Sequence, residues 1–369
     1  MQISPFKIER YFARYEFNVD YVLCGSDCET LTIEDLLAFE PDAGERFKRL
    51  GLGYTESKGS PALRREICNI YRDIAPHQVL VHTGAEEAIF LFMHAMLGPE
   101  DHVIVHWPCY QSLGEVARSI GCDVTWWQAA EESQWALDPV QLRRHLKPNT
   151  RAIVVNTPHN PTGYLMPGEI FREVSAIARD NGVILFSDEV YRESEYRSED
   201  RLPAACDLGE HAVSLGVMSK TYGLPGLRIG WIATRNEAVY NKMAALKDYT
   251  TICNSAPAEF LSELALRHRR VLVERTRQII SDNLNLLDAF FERHAGRLAW
   301  QRPQAGPIGF AKLVGEDVEE FCESLVKSAG VLLLPGTVYD DPGNHFRIGF
   351  GRKNLPAALQ RLEDFLQIH

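Results

Sequence analysis

Seven short apolar runs restrict the possible folds of this chain more than any other feature of its sequence. Each run is followed by a polar or glycine-rich turn, and helical patterns such as EEAIFLFMHAML and GEIFREVSAIARDNG lie between the runs. Continuous apolar runs that alternate with helices are typical of a mostly parallel sheet covered on both faces. The runs are VLVHT (79–83), HVIVH (102–106), DVTWW (123–127), RAIVVN (151–156), VILFS (183–187), AVSLGV (212–217) and IGWIA (229–233). They predict a large α/β domain over residues 45–275, in which a seven-stranded sheet lies between helices.

The region that follows differs from the first in its pattern of predicted helices and strands. The segment LALRHRRVLVERTRQIISDNLNLLDAFFERH contains no proline or glycine and predicts one long amphipathic helix. After it come short strand-like stretches, namely GRLAW, GPIGFAKL, VLLLPG and HFRIGFG. We therefore expect a smaller α+β domain built from residues 276–369 and completed by residues 1–44. A ligand site is expected in the cleft between the two domains.

Charge and composition exclude several classes of function. The formal net charge of the 369 residues is −11 and no long basic cluster occurs, which argues against nucleic acid as a partner. No stretch approaches the roughly 20 apolar residues that a membrane helix needs, and MQISPFKIERYFARYEF lacks the apolar core of a signal peptide, so we expect a cytoplasmic location. His102, His106 and Cys109 come nearest to a metal cluster, but the two histidines flank an apolar run and no fourth ligand is evident. No metal is expected.

Ligands of such sheets bind beyond the carboxyl ends of the strands, so the residues there are the first candidates for a site. Gly84 follows the first run at the beginning of a helical pattern, where free N–H groups can hold phosphate; alternatively, it only marks a turn from strand to helix. Asn160 lies in TPHNPTG, in which two prolines and a glycine predict a rigid turn.

Two charged residues follow later runs. Asp188 directly follows VILFS and is either paired, employed in chemistry, or the N-cap of a helix. Lys220 follows the sixth run within a loop of small residues, and Arg228 lies eight residues further on. A lysine at the end of a buried strand has two possible roles. It is either a surface residue that buries its aliphatic chain and keeps its ammonium group in water, or a reactive amine.

Seven segments with these residues resemble, in order, the class I/II aminotransferases, which are fold type I pyridoxal-phosphate (PLP) enzymes. The segments are YTESKGSPALRREI, TGAEEAI, HWPCYQSL, NTPHNPTG, SDEVYRE, SKTYGLPGLRIGW and FRIGFG, and they span nearly the whole chain. The resemblance implies PLP as the cofactor, and an activity that moves an amino group between an amino acid and a 2-oxo acid.

The resemblance also implies roles around the ring of the cofactor. Lys220 matches the lysine that forms the Schiff base with PLP and later moves a proton at the α-carbon of the substrate. Asp188 would keep the pyridine nitrogen protonated. Tyr191 and Asn160 would bind the phenolic oxygen, and Tyr110 would stack on the ring.

The phosphate of the cofactor would be held by residues from two of the segments and by a partner subunit. Tyr54 would reach the phosphate of the neighbouring subunit, which implies a homodimer with shared sites. Val217 stands where many family members carry a hydroxyl residue, so the phosphate site has one contact fewer. The expected phosphate ligands from the same subunit are Gly84, Ala85, Glu86, Ser219 and Arg228.

Substrate binding is assigned by the same resemblance to three residues. Arg347 in FRIGFG would bind the α-carboxylate of the substrate with two parallel hydrogen bonds. Asn160 would contribute to the same region. Gly25, in LCGSDCETLTIEDL, would line the entrance to the site.

Several reactions remain open, because the same lysine, aspartate and arginine serve transamination, elimination, replacement and cyclisation. YTESKGSPALRREI and SDEVYRE with LPGLRIGW are also similar to a branch that includes capreomycidine-synthase-like enzymes. An aminotransferase is the first hypothesis, a PLP-dependent lyase, β-replacement or cyclising enzyme the second, and a non-catalytic PLP-binding protein the third. GVMSKT lacks the glycine of a P-loop and GLGYTE lacks the third glycine of a dinucleotide fingerprint, which disfavours nucleotide-dependent enzymes. The particular substrate is not predicted.

Overall fold

A computed structural model describes residues 2–368. Its strands are β1 (Tyr21–Val22), β2 (Val79–His82), β3 (His102–Trp107), β4 (Asp123–Gln128), β5 (Thr150–Asn156), β6 (Ile184–Asp188), β7 (Ala212–Val217), β8 (Gly230–Thr234), β9 (Leu298–Ala299), β10 (Ile308–Leu313), β11 (Val331–Leu332), β12 (Leu334–Pro335) and β13 (His345–Gly349). Its α-helices are α1 (Lys7–Tyr15), α2 (Ile33–Leu37), α3 (Ala43–Lys48), α4 (Pro61–Cys68), α5 (Gly84–Met96), α6 (Ser112–Ile120), α7 (Pro139–His145), α8 (Gly168–Asp180), α9 (Ala205–Leu208), α10 (Glu237–Lys247), α11 (Ala256–Arg267), α12 (Arg269–Arg293), α13 (Val318–Ala329) and α14 (Leu355–Ile368).

The main sheet contains seven strands in the order β2-β8-β7-β6-β5-β3-β4. All neighbours pair in parallel except β8, which is antiparallel to both β2 and β7. The seven apolar runs therefore form one mostly parallel sheet, and the predicted fold class is confirmed. Because β5, β6 and β7 are adjacent and parallel, their carboxyl ends meet at one edge of the sheet.

Helices cover both faces of this sheet, and successive strand residues supply the two layers in turn. Val105, Val154 and Phe186 pack in one hydrophobic cluster with the apolar side chains of α5, α6 and α10. Their chain neighbours Ile104, Ile153 and Leu185 pack in another cluster with α8. Burial on both faces explains why these strands appear in the sequence as continuous apolar runs instead of alternating ones.

A second, antiparallel sheet has the order β12-β13-β10-β9. The short strand β1 pairs in parallel with β11, so the N-terminal segment is joined to the C-terminal region. This pairing agrees with the expected completion of the small domain by residues 1–44, although Leu36 of α2 packs instead with α4 and α11 beside the main sheet. The domain boundaries at 44/45 and 275/276 remain a prediction.

The prediction of one long helix from residue 264 is wrong at His268, where α11 ends and α12 begins. His268 has φ −104° and ψ 20°, which is not helical. Its ring stacks on Phe39, with centroids 5.2 Å apart, and its Nε2 lies 3.1 Å from a carboxylate oxygen of Glu40. These contacts with a distant segment outweigh the local helical preference. Within residues 2–368, no helix has both the length and the hydropathy that a membrane crossing requires.

Candidate active site

A cavity of about 770 Å³ lies at the carboxyl ends of β5, β6 and β7. Residues of the N-terminal region and of the segment after β1 also line it. Ten of the thirteen predicted site residues line it, whereas Gly84, Arg347 and Tyr54 do not. The ten are Gly25, Ala85, Glu86, Tyr110, Asn160, Asp188, Tyr191, Ser219, Lys220 and Arg228.

Lys220 follows β7 by three residues and extends into this cavity. Its Nζ donates a hydrogen bond to Oγ of Ser26, at 2.8 Å. Burial lowers the pKa of Lys220, the nearby Arg347 lowers it further, and the carboxylates of Asp27 and Asp188 oppose both effects. An amine that loses its proton more easily can act as a nucleophile and as a base.

Asp188 is the last residue of β6 and is 4% exposed. One of its carboxylate oxygens accepts from the backbone N–H of Val190, 3.1 Å away, and no helix follows, so the N-cap alternative is wrong. Burial raises the pKa of Asp188 to about 7, against the lowering effects of the Val190 hydrogen bond and of the Lys220 charge. A cation placed against this carboxyl group would restore its negative charge.

Asn156, at the end of β5, fixes the positions of two predicted site residues, and sequence analysis missed it. Its Nδ2 donates to the backbone oxygen of Asp188, at 3.0 Å, and its Oδ1 accepts from the backbone N–H of Asn160, at 2.7 Å. The available signal was its position at a strand end, the same signal that identified Asp188.

Tyr191 has a buried hydroxyl group that makes no hydrogen bond of good geometry with the residues described, although the Ser26 hydroxyl lies close enough to lower its pKa. The residue is 1% exposed and lines the cavity, and its ring centroid lies 5.9 Å from Nζ of Lys220. Burial raises the pKa of Tyr191 above its ordinary value, so the group is a donor at neutral pH. Because an unpaired buried hydroxyl is costly, this one is suited to an acceptor on a ligand in the cavity.

Arg347 is 1% exposed and is held by three residues. Its Nε and Nη2 donate to the backbone oxygen of Cys24, at 3.0 and 2.8 Å. Its Nη1 donates to Oη of Tyr339, at 2.6 Å, and to Oδ1 of Asn160, at 3.2 Å. The Tyr339 hydroxyl also donates to Oδ1 of Asn160, at 3.0 Å. The guanidinium group is thus fixed beside Asn160, which lines the cavity, although Arg347 does not line it.

The beginning of α5 has the groups to hold an anion beside Arg228. Thr83 makes no side-chain cap, so the N–H groups of the first turn remain available to a ligand. Gly84 has φ +83°, and a Cβ at this position would lie 2.8 Å from Nη2 of Arg228. A Cβ at Gly230 would lie 2.7 Å from the carbonyl carbon of Gly84 and 2.8 Å from the nitrogen of Ala85. The two glycines allow strand, helix and guanidinium to approach closely.

Glu86 and Tyr110 lie next to this anion site. The carboxylate of Glu86 accepts from the Ser112 hydroxyl, at 3.1 Å, and burial raises the pKa of Glu86 to about 7. Tyr110 packs on Phe6, with ring centroids 5.1 Å apart, and donates to Glu9, at 3.4 Å. The ring of Tyr110 therefore forms a wall of the cavity.

Tyr54 and Gly25 differ in their placement. Tyr54 is 94% exposed and lies outside the cavity of its own chain. Gly25 lines the cavity. A Cβ atom on Gly349 would lie only 2.0 Å from the carbonyl oxygen of Gly25. The loop that contains Gly25 therefore packs closely on the end of β13.

Sequence analysis also missed the wall formed by the N-terminal region. The missed residues are Glu9, Phe12, Glu16, Phe17, Ser26, Asp27 and Thr30, together with Arg352 of the C-terminal region, which binds Asp27. None of them follows a strand of the main sheet, so no signal at a strand end could identify them.

The cavity combines the groups that PLP requires. A phosphate group fits the first turn of α5 beside Arg228, and an acceptor on the ring fits the unpartnered hydroxyl of Tyr191. A protonated ring nitrogen fits Asp188, and an aldehyde fits the amine of Lys220. In the part of the chain that the structure describes, no group of three or more His, Cys, Asp or Glu side chains could hold a metal ion.

Comparison with known proteins places these features in a family. The family described as Aminotransferase class I and II matches residues 21–362. Capreomycidine synthase of Streptomyces vinaceus is 29% identical over 316 residues, which cover 85% of this chain and 80% of that protein. Aspartate aminotransferase of Geobacillus stearothermophilus is 27% identical over 331 residues, which cover 85% and 84%.

Solved structures agree with this family match. A PLP-dependent aminotransferase from Streptococcus suis superposes with a TM-score of 0.94 at 32% identity, covering 100% of this chain and 98% of the other. The PLP-dependent cyclase OrfR superposes with a TM-score of 0.90 at 29% identity, with the same coverage. From the family match and the donor groups in the cavity, we conclude that the chain belongs to the class I and II aminotransferase family and that its cofactor is PLP.

Proposed function

We propose that this protein is an aminotransferase that moves an amino group between an amino acid and a 2-oxo acid. The observation that supports this best is the presence of Lys220, Asp188 and the unpartnered Tyr191 hydroxyl in one cavity beside an anion site. When bound, PLP withdraws electrons from the α-carbon of the substrate. The protein must bind and orient both molecules and move protons.

Lys220 and Asp188 perform the acid-base work in this proposal. Lys220 would hold the cofactor through Nζ, and the same nitrogen, as a free amine, would remove and return a proton at the α-carbon of the substrate. Its lowered pKa supports this role, because an amine that is charged at all times is no base. Asp188 holds the proton on the pyridine nitrogen, and that cation in turn keeps Asp188 ionised.

The remaining residues bind and orient. Tyr191 and the amide nitrogen of Asn160 would donate to the phenolic oxygen. The amide oxygen of Asn160 already accepts from Nη1 of Arg347 and from the Tyr339 hydroxyl, which leaves the amide nitrogen for the cofactor. Tyr110 covers the ring. The phosphate takes the N–H groups of Gly84, Ala85 and Glu86 together with Ser219 and Arg228, while Val217 offers it no hydroxyl.

The α-carboxylate of the substrate is assigned to Arg347 with Asn160. In the structure described here Arg347 already has protein partners, and a carboxylate would replace the Tyr339 and Asn160 oxygens as acceptors for Nη1. Gly25 lines the approach to this position. Tyr54 is assigned to the phosphate of a second subunit in a homodimer, which its 94% exposure permits.

A PLP-dependent lyase, β-replacement or cyclising enzyme is the second candidate. The names of two relatives favour it, because capreomycidine synthase and the cyclase OrfR resemble this chain about as closely as the aminotransferases do. Both candidates use the same lysine and differ in what becomes of the substrate after its α-proton is removed.

The experiment is to add a panel of amino acids to the holoenzyme without any 2-oxo acid. An aminotransferase converts the absorption of the cofactor to that of its amino form and releases one 2-oxo acid per site. A lyase or cyclase retains the initial absorption while ammonia, water or a cyclised product appears. An unchanged absorption together with no product from any amino acid would contradict both candidates.

A further inference from the structure

Helix α1 and its C-terminal cap contribute three residues to the lining of the cavity. They are Glu9, Phe12 and Glu16, the last being the residue that caps the helix. Their spacing of three and four places them on one face of a helix. Two carboxylates therefore lie on the same wall with an aromatic ring between them, about 10 Å apart along the helix axis.

This wall lies next to the position assigned to the α-carboxylate of the substrate. The guanidinium carbon of Arg347 is 5.9 Å from the centre of the Phe12 ring. A substrate whose α-carboxylate binds at Arg347 therefore has Phe12 beside it and one glutamate about one helical turn away in either direction. Its side chain extends along a wall that carries two negative charges.

The other charged groups of the cavity are engaged elsewhere. Nη2 of Arg352 binds both carboxylate oxygens of Asp27, at 2.8 and 2.9 Å. Arg228 belongs to the anion site, and Lys220 bonds to the cofactor. Among the lining residues described, no cation is left for an acidic side chain of a substrate.

The two glutamates, in contrast, have no basic partner in contact. Glu9 accepts only from the Tyr110 hydroxyl, at 3.4 Å, and within residues 2–368 no ion pair joins either glutamate to a basic side chain. Burial raises the pKa of Glu16, the negative charges of Asp27 and Glu9 add to the effect, and Arg352 reduces it. Glu9 and Glu16 line the same cavity as Lys220, Asp188 and Tyr191, so a substrate that reaches the cofactor passes beside these carboxylates.

We propose that the site selects amino acids whose side chain carries a positive charge, such as a guanidinium or an amine, and that Glu9 and Glu16 determine this specificity. The inference rests on the proposed function, which places the α-carboxylate at Arg347. It goes beyond that function because it names the substrate class.

The test compares L-arginine with L-citrulline, which has nearly the same shape and a neutral end group. Dissociation constants for the holoenzyme are measured by stopped-flow absorption of the cofactor, before turnover. Since the positive end group of arginine can pair with the two carboxylates and the neutral end group of citrulline cannot, we expect arginine to bind about tenfold more tightly than citrulline. L-Glutamate should bind more weakly than L-glutamine, since it has the opposite charge.

The double variant Glu9→Gln/Glu16→Gln keeps the size of both side chains and should bring the arginine-to-citrulline ratio close to one. The control is Glu292→Gln, which changes an exposed glutamate of α12 outside the cavity and should leave the ratio unchanged. Circular dichroism confirms that each variant is folded.

The outcomes separate this inference from the proposed function. Equal binding of arginine and citrulline by the wild-type protein, tighter binding of glutamate than of glutamine, or a preference that survives in the double variant would each overturn the inference. A preference for arginine without any 2-oxo acid as product would support the inference and contradict the aminotransferase proposal. Failure of every amino acid to bind would contradict both.

Discussion

Burial determines the protonation of the two central residues, and it acts on them in opposite directions. It lowers the pKa of Lys220 and raises the pKa of Asp188 to about 7, because both charged forms lose hydration. Each residue reduces the effect on the other, since their charges have opposite sign. The result is an amine that loses its proton more easily than usual and a carboxyl group that changes protonation near pH 7.

Replacement of Lys220 should abolish turnover and leave the fold intact. We expect Lys220→Ala to lower turnover by about 10³-fold or more, because it removes a base and the covalent attachment of the cofactor. After borohydride treatment and gel filtration, the wild-type protein should retain cofactor absorption and the variant should not. Wild-type turnover by the variant would exclude Lys220 as the catalytic amine.

The buried carboxyl of Asp188 should make the stability of the cofactor-free protein depend on pH. Its pKa is higher in the folded chain than in the unfolded chain, so folding takes up a proton, and stability is lost as pH rises from about 4 to about 7. In Asp188→Asn this loss should be smaller, by on the order of 2–4 kcal/mol. Urea denaturation of the cofactor-free proteins at pH 5 and pH 8 measures the difference. An equal pH dependence of both proteins would contradict the raised pKa.

At the scale of secondary structure, much of the site follows from where strands end. Asp188 ends β6, and Gly84 and Lys220 follow β2 and β7, so the order of apolar runs predicted their convergence. The end of α11 at His268 was not predictable, since it depends on contacts with Phe39 and Glu40, more than two hundred residues away in the chain. Tyr339 and the wall formed by α1 were missed for the same reason, because only tertiary packing brings them to the cavity.

The close approach of β8 to the beginning of α5 should be sensitive to a single methyl group. Gly230→Ala would place a Cβ 2.7 Å from the backbone of Gly84, so we expect the first turn of the helix to shift. Cofactor affinity should fall about tenfold or more, with a loss of about 1–3 kcal/mol in stability. Equilibrium titration with PLP and urea denaturation measure the two effects.

The matched control is Gly226→Ala in the preceding loop, where a Cβ would meet no atom within 4 Å. It should leave both quantities close to wild type. Unchanged affinity in Gly230→Ala would mean that the first turn of α5 does not bind the phosphate.

At the scale of the whole molecule, several large aromatic and aliphatic side chains are open to solvent. Leu52, Tyr54 and Tyr249 are 83%, 94% and 88% exposed. Sequence resemblance assigned Tyr54 to a neighbouring subunit, and its exposure agrees with that assignment. The homodimer itself remains a prediction.

Analytical ultracentrifugation should give a particle with twice the mass of one chain. The mass of one chain is 41.7 kDa. Tyr54→Phe should leave this mass unchanged and weaken PLP binding about three- to tenfold, since one hydrogen bond to a charged group is lost. A monomeric protein, or a dimer whose PLP affinity does not depend on Tyr54, would contradict the proposed sharing of sites.

The wall formed by α1 has a consequence for how such a protein can diverge. Glu9, Phe12 and Glu16 lie at the beginning of the chain, whereas Asn156, Asp188 and Lys220 lie at the ends of buried strands. Mutations in the first group alter the cavity without disturbing the strands that position the second. Descendants of one ancestor could therefore exchange their N-terminal segments and acquire new substrates while inheriting the same chemistry.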